Sequence, residues 1–126
     1  MNNLYSQNIL DHYRYPRNFG HLKNFHRKNE EGNPLCGDKL GVELKLSASG
    51  KKIKSEKIAD IRFYGEGCAI SIASASMLSE KAKGQSVESI MKLAGKDILA
   101  LLRVKLSPSR IKCAMLSLEI LQKALK

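Results

Sequence analysis

The chain has 126 residues, of which 43% are apolar and 27% are charged, and its formal net charge is +10. These proportions are typical of a globular protein and exclude a disordered or collagen-like chain. The length predicts one domain over residues 1–126. No apolar run approaches the ~20 residues that a membrane-spanning helix needs, and no basic patch followed by an apolar segment opens the chain. We therefore expect a cytoplasmic protein that does not associate with membranes.

The positive charge favours acidic partners in general: nucleic acid, anionic lipid or an acidic protein surface. The Lys and Arg residues are spread along the whole chain, and there is no Trp. Since few aromatic residues are interleaved with the charge, the stacking surfaces typical of proteins that bind single-stranded nucleic acid are missing from the pattern. We interpret the charge as solvation and steering rather than as a nucleic-acid footprint.

The first half of the chain passes from a helical to a strand-like pattern. Apolar spacing predicts a helix over residues 3–14, and the polar stretch 21–35 predicts a loop or an irregular edge strand. Two alternating segments, 39–47 and 57–64, surround a Gly-containing turn and predict an antiparallel hairpin. The alternation places Leu40, Val42, Leu44, Leu46, Ala59, Ile61 and Phe63 inward, and Lys39, Glu43, Lys45, Ser47, Asp60, Arg62 and Tyr64 outward.

The second half of the chain is helical. One helix is predicted from Cys68 to Gly84, two short ones over 86–94 and 96–103, and a last one from Pro108 to about Leu125. The expected buried positions are Ile70, Ala73, Met77 and the aliphatic part of Lys81 in the first of these helices, and Ala114, Leu118, Leu121 and Leu125 in the last. The elements together predict an α+β fold, with a small antiparallel sheet and helices packed on one side.

Three cysteines stand in surroundings that indicate chemistry. Their odd number excludes a fully paired disulfide framework within one chain. Cys36 lies in a turn before the first alternating strand, and Asp38, two residues on, shares its face of an extended chain. Cys68 begins a helix, whose dipole favours the thiolate. Cys113 follows two cations, which favour its thiolate as well.

These residues predict a metal site. The cysteines are far apart in sequence, unlike the close pairs of a zinc ribbon, so the ligands must converge from three segments. Three thiolates and the Asp38 carboxylate complete a four-coordinate centre, which suits zinc. Iron–sulfur clusters usually take four thiolates, and a harder oxygen donor holds iron–sulfide less firmly. The alternatives are inert buried thiols and, for Asp38, a plain turn carboxylate.

Four segments resemble the IscU/NifU/SufU family of iron–sulfur cluster assembly proteins. They are LDHYRYPRNFG at 10–20, NPLCGD at 33–38, GEGCAISIASAS at 65–76 and RIKCA at 110–114. The resemblance runs from about residue 4 to about residue 125 and implies one NifU-like N-terminal (scaffold) domain. It implies that a cysteine desulfurase delivers persulfide sulfur, and that a transient 2Fe–2S cluster is built and passed to apo acceptor proteins. The implied ligands are Cys36, Asp38, Cys68 and Cys113, with Cys113 as the sulfur acceptor.

The chain combines features of two branches of that family. Lys112 occupies the position where IscU-type members have His, as in SufU-type members, yet the insertion typical of SufU-type members before the last cysteine segment is missing. A zinc-dependent sulfurtransferase of the SufU type is therefore the alternative function, and zinc is the expected metal of the isolated protein. Lys112 is expected to be solvated, to form an ion pair with Asp38 in the empty site, or to steady a sulfide next to the ligands. The chaperone-recognition segment is altered at 106–110, which leaves chaperone binding open.

Overall fold

The structure is a computed structural model that describes residues 7–33, 37–47 and 55–126. The first six residues and the predicted turn at 49–52 lie outside the described residues, as does Cys36. Within the described part, none of the helices is long and apolar enough to cross a membrane. The elements in chain order are α1 (Gln7–Arg14), β1 (Arg27–Asn33), β2 (Asp38–Leu46), β3 (Ile58–Glu66), α2 (Ala69–Ala82), α3 (Val87–Met91), α4 (Gly95–Leu102) and α5 (Pro108–Ala124).

The strands form one antiparallel sheet in the order β1-β2-β3. The predicted hairpin is confirmed as β2 and β3. Within the stretch 21–35, the predicted edge strand is confirmed as β1, at the edge of the sheet, but its seven residues are regular rather than irregular. The strand shows no alternation of apolar and polar residues, because polar side chains also occupy the face that packs against α5. There the Asn29 Nδ2 donates to the Ile120 carbonyl at 3.2 Å.

The predicted α+β fold is confirmed. α5 packs against β1 and β2, α2 packs against β3, and α1 and α4 lie against α2. The inner face of the sheet supplies fully buried side chains: Leu40, Val42, Leu44, Ile58, Ile61 and Phe63. The predicted apolar stripe of the last helix, at Ala114, Leu118, Leu121 and Leu125, is buried against this core.

Ala59 is the first correction to the predicted hairpin. Lys45 pairs with Asp60, but the next pair is Leu46 with Ile58, so Ala59 is left over in a β-bulge. The extra residue reverses the alternation, and Ile58 is fully buried while Ala59 is exposed.

Glu43 is the second correction. It lies on the outer face of the sheet, as predicted, but it is only 2% exposed. The segment between α1 and β1 covers it: the Leu22 amide donates to Oε1 at 2.8 Å, and His21 Nδ1 lies 3.1 Å from Oε2. Burial by itself would raise the pKa of Glu43, but these hydrogen bonds and the nearby Lys28 charge together hold it below the ordinary value.

The α2 helix is buried on nearly every side instead of on one face. Its serines at 71, 74, 76 and 79 are fully buried, as are Ala73 and Ala75. Serine hydroxyls can be buried here because they form hydrogen bonds. Ser74 Oγ donates to the Ile70 carbonyl at 2.8 Å, and Ser76 Oγ accepts from the Arg17 amide at 2.8 Å. Lys81, predicted to lie partly inward, is exposed. Small side chains let α1 and α5 approach α2 closely.

Candidate metal centre

Three of the four predicted ligands meet at one point. A carboxylate oxygen of Asp38 and the sulfurs of Cys68 and Cys113 lie within 4.8 Å of one another. They come from the first residue of β2, the residue before α2 and the second turn of α5. The fourth predicted ligand, Cys36, lies outside the described residues. Segments separated by many residues in the sequence are therefore neighbours only because the sheet and the two helices pack together.

Asp38 contributes a buried carboxyl group to the site. Its side chain is 2% exposed, and Oδ1 accepts a hydrogen bond from the Cys68 amide at 2.9 Å. The Cys68 thiol donates to the other oxygen, Oδ2, at 3.9 Å. A carboxylate in this position is held by the protein and also directed at a sulfur, which a plain turn residue would not need.

Two glycines shape the connection from β3 to α2, each for a different reason. Gly65 has φ +122°, a backbone conformation that side chains disfavour, and a Cβ there would lie 2.1 Å from the Lys39 carbonyl oxygen. Gly67 is needed for space. A Cβ on it would lie 2.2 Å from Ser71 Oγ and 3.0 Å from Asp38 Oδ1. The short loop can thus bring Cys68 directly against the start of β2.

The two described thiols differ in accessibility. Cys68 is half-buried at the start of α2, whereas Cys113 is 1% exposed. Lys112, next to Cys113, is exposed and makes no ion pair with any residue in the described ranges.

The donor set fits a metal. Two sulfurs and a carboxylate oxygen are donors that zinc accepts in tetrahedral sites, and thiolates are the usual ligands of iron–sulfur clusters. The fit also agrees with the burial, because a carboxylate this far from water is normally paired, hydrogen-bonded or bound to a metal. A fourth donor is left for Cys36 to supply.

The three histidines lie outside this cluster of described residues. His12 contacts Ser76, His21 contacts Glu43, and the His26 Nδ1 accepts from the Leu46 amide at 2.9 Å. Each of these contacts joins segments that are distant in the sequence.

The hydrogen bond between Asp38 and the Cys68 amide was missed by the sequence analysis. The sequence offers one indication of it: Cys68 stands at the capping position of α2, where a helix usually has Ser, Thr, Asp or Asn.

Comparison with known proteins agrees with this picture. Residues 4–126 match the family model of the NifU-like N-terminal domain. The chain is 38% identical over 140 residues to a protein of Bacillus subtilis named zinc-dependent sulfurtransferase SufU, covering 98% of this chain and 90% of that protein. It is 37% identical over 122 residues to the iron–sulfur cluster assembly scaffold protein IscU of Aquifex aeolicus, covering 97% of this chain and 74% of that protein.

A solved structure is similar over nearly the whole chain. It is a protein of the thermophile Fervidobacterium islandicum, named as an iron–sulfur cluster assembly scaffold for the SUF system. The TM-score is 0.82 at 29% identity, and the match covers 98% of this chain and 97% of that one. The similar proteins thus carry both of the functions that the sequence analysis left open.

Proposed function

Because the chain belongs to the NifU-like N-terminal domain family, we propose that it is a scaffold on which a transient iron–sulfur cluster is assembled and then passed to acceptor proteins. One observation carries the proposal: Asp38, Cys68 and Cys113 come from three distant segments and place their donor atoms within 4.8 Å of one another. Inert buried thiols would have no reason to converge on a buried carboxylate.

The cargo in this proposal is a 2Fe–2S cluster, and its ligands are Cys36, Asp38, Cys68 and Cys113. The thiolates match the preference of iron–sulfide for soft donors. The Asp38 oxygen is a harder donor and holds the cargo less firmly than a fourth thiolate would. Such a mixed set suits a protein that must release what it holds.

The sulfur comes from a cysteine desulfurase that carries a persulfide. The Cys113 thiolate attacks the outer sulfur, the S–S bond of the donor breaks, a new S–S bond forms on Cys113, and the desulfurase cysteine leaves as a thiolate. Cys113 is 1% exposed, so the docked desulfurase must uncover it. Reduced thiols are needed throughout, which is why we place this work in the cytoplasm.

Anaerobic reconstitution tests the scaffold function. The protein is incubated with ferrous iron, cysteine and a desulfurase, and cluster formation is followed by visible absorption and Mössbauer spectroscopy. Transfer to an apo ferredoxin is then measured. We expect a cluster that is transferred by the wild type and is lost in Cys68→Ser and Cys113→Ser.

Ser117→Ala is the matched control. Ser117 lies on the same buried side of α5, and its hydroxyl has no hydrogen-bond partner among the described residues. This variant should assemble and transfer the cluster like the wild type. A wild type that forms no cluster, or one that cannot be passed on, contradicts the proposal.

The second candidate is a zinc-dependent sulfurtransferase, in which zinc holds the site and Cys113 takes the persulfide sulfur. The donor set suits zinc, and the Bacillus subtilis relative carries this name. The two functions differ in one measurement. Zinc-loaded protein should accelerate desulfurase turnover only in the sulfurtransferase case, and Cys113→Ser should then abolish the acceleration.

A further inference from the structure

The α2 helix begins without a cap of its own. The four amides at a helix start have no partner inside the helix and need an outside acceptor. Cys68 occupies the capping position, and its side chain makes no capping hydrogen bond within the described part of the chain. Instead, Asp38 Oδ1 accepts from the Cys68 amide at 2.9 Å, although Asp38 is on β2 and thirty residues away. A strand residue therefore does what a Glu or Gln three residues into the helix does in a capping box, where its side chain accepts from the amide of the capping residue.

We propose that Asp38 is a positioning residue as well as a ligand, and that its two oxygens divide the work. Oδ1 is held by the Cys68 amide and fixes the start of α2 against β2. Oδ2 is directed at the Cys68 sulfur, 3.9 Å away, and is the oxygen that we assign to the cargo. The backbone that carries the Cys68 thiol is thus set in place by the same carboxylate that joins it as a donor.

Gly67 makes this arrangement sterically possible. A Cβ at position 67 would lie 3.0 Å from Asp38 Oδ1 and 2.2 Å from Ser71 Oγ. Ser71 is fully buried, and its hydroxyl donates to the Cys68 carbonyl at 3.0 Å, so it cannot swing away without losing that bond. A side chain at 67 would therefore collide with Ser71 and crowd Asp38 beside the Cys68 amide.

The proposal predicts that the site is organised before cargo arrives. Preorganised ligands bind more tightly, because less ordering is required when the cargo enters. The cargo half of this inference rests on the proposed function. The capping half concerns the metal-free protein alone, and the experiment separates the two.

The decisive comparison is Asp38→Asn with Asp38→Ala in protein stripped of metal by a chelator. Asn keeps a side-chain oxygen that can accept from the Cys68 amide, whereas Ala provides no acceptor. Amide hydrogen exchange measured by NMR should show at least about a fivefold loss of protection at the Cys68 amide in Asp38→Ala, relative to Asp38→Asn. The melting temperature of Asp38→Ala should lie about 3–6 °C below that of Asp38→Asn.

Zinc affinity gives the second readout, measured by competition with a chelating dye. Gly67→Ala should weaken zinc binding about 10- to 100-fold, the usual effect of disturbing a group that orients a metal ligand. Gly95→Ala is the matched control, because its new Cβ would meet the flexible end of Met115 and no other residue in the described part of the chain. This variant should bind zinc like the wild type.

Each outcome has one meaning. Equal protection of the Cys68 amide in Asp38→Asn and Asp38→Ala overturns the capping role. Wild-type protein that fails to bind zinc contradicts the proposed metal site but leaves the exchange result valid. If Gly67→Ala does not fold, the comparison of the two Asp38 variants decides alone.

Discussion

The imidazole of His12 on α1 lies 2.7 Å from the hydroxyl of Ser76 on α2, and both side chains are buried. The same hydroxyl accepts a hydrogen bond from the backbone amide of Arg17 at 2.8 Å. One small side chain on α2 thus holds both the first helix and the turn that follows it. The contact involves none of the three donor residues of the candidate metal centre. Because a histidine makes it, we expect the packing of α1 on α2 to depend on pH.

Acidification should weaken the fold through His12. Burial lowers the pKa of His12 below 6.5, and the positive charge of Arg17 lowers it further, against the opposing effects of Glu80 and Asp11. As the pH falls below 6.5, the unfolded chain therefore binds a proton before the folded one does. Stability is full above that pH and declines below it, until the folded histidine also protonates.

The measurement is the free energy of urea unfolding of metal-free protein between pH 8 and pH 5. We expect it to decrease below about pH 6.5 in the wild type, and His12→Gln should show a smaller decrease over the same range. An identical pH dependence in the two proteins would show that His12 is not responsible.

Removing the buried carboxylate on the outer face of the sheet should destabilise the protein. Glu43→Ala leaves the Leu22 amide without its acceptor, which costs about 1–3 kcal/mol of unfolding free energy. Glu43→Gln keeps an acceptor for that amide and should cost less. The control is Glu30→Ala, since Glu30 is an exposed partner of Lys39 and such a pair contributes at most about 1 kcal/mol. Equal losses at 43 and 30 would contradict this account.

The depressed pKa of Glu43 predicts a second pH effect. Below 4.5 the unfolded chain takes up a proton at this position before the folded protein does, so the contribution is present above that pH and is lost on further acidification. Glu43→Gln should therefore lose less stability than the wild type between pH 5 and pH 3, as measured by thermal unfolding. A parallel loss in both proteins would contradict the assignment.

A larger side chain inside α2 should be poorly tolerated. Ala75 is fully buried on a helix that contacts both α1 and α5. Ala75→Leu should cost about 1–3 kcal/mol by overpacking. Lys81→Leu introduces the same side chain at an exposed position of the same helix, and its effect should stay within about 0.5 kcal/mol. Urea unfolding of the two variants measures the difference.

Protein purified in air should contain zinc, in a ratio approaching one per chain, and little iron. Zinc has no redox chemistry and outlasts an oxygen-labile cluster, and the donors at 38, 68 and 113 suit it. Elemental analysis measures this directly, and Cys113→Ser should lower the zinc content sharply. Stoichiometric iron without zinc would contradict the prediction.

Several features followed from the sequence alone. The hairpin and the last helix were predicted from apolar periodicity, because each buries one face against the core. The helix after Gly67 was predicted in the right place, but its burial on nearly every side was not. The candidate ligands at 38, 68 and 113 were identified from residue type and local surroundings, and the structure brings them together. A ligand of this kind can be recognised from its residue type and its immediate neighbours in the sequence.

Other features depended on tertiary packing. The bulge at Ala59 arises from the pairing of β2 with β3, and the burial of Glu43 arises from a segment that folds over the sheet. The cap that Asp38 provides for α2 joins residues far apart in the chain. The sequence shows which hydrogen bonds each residue can form and which side chains are apolar enough to be buried. Which distant residue becomes the partner is decided only by tertiary packing.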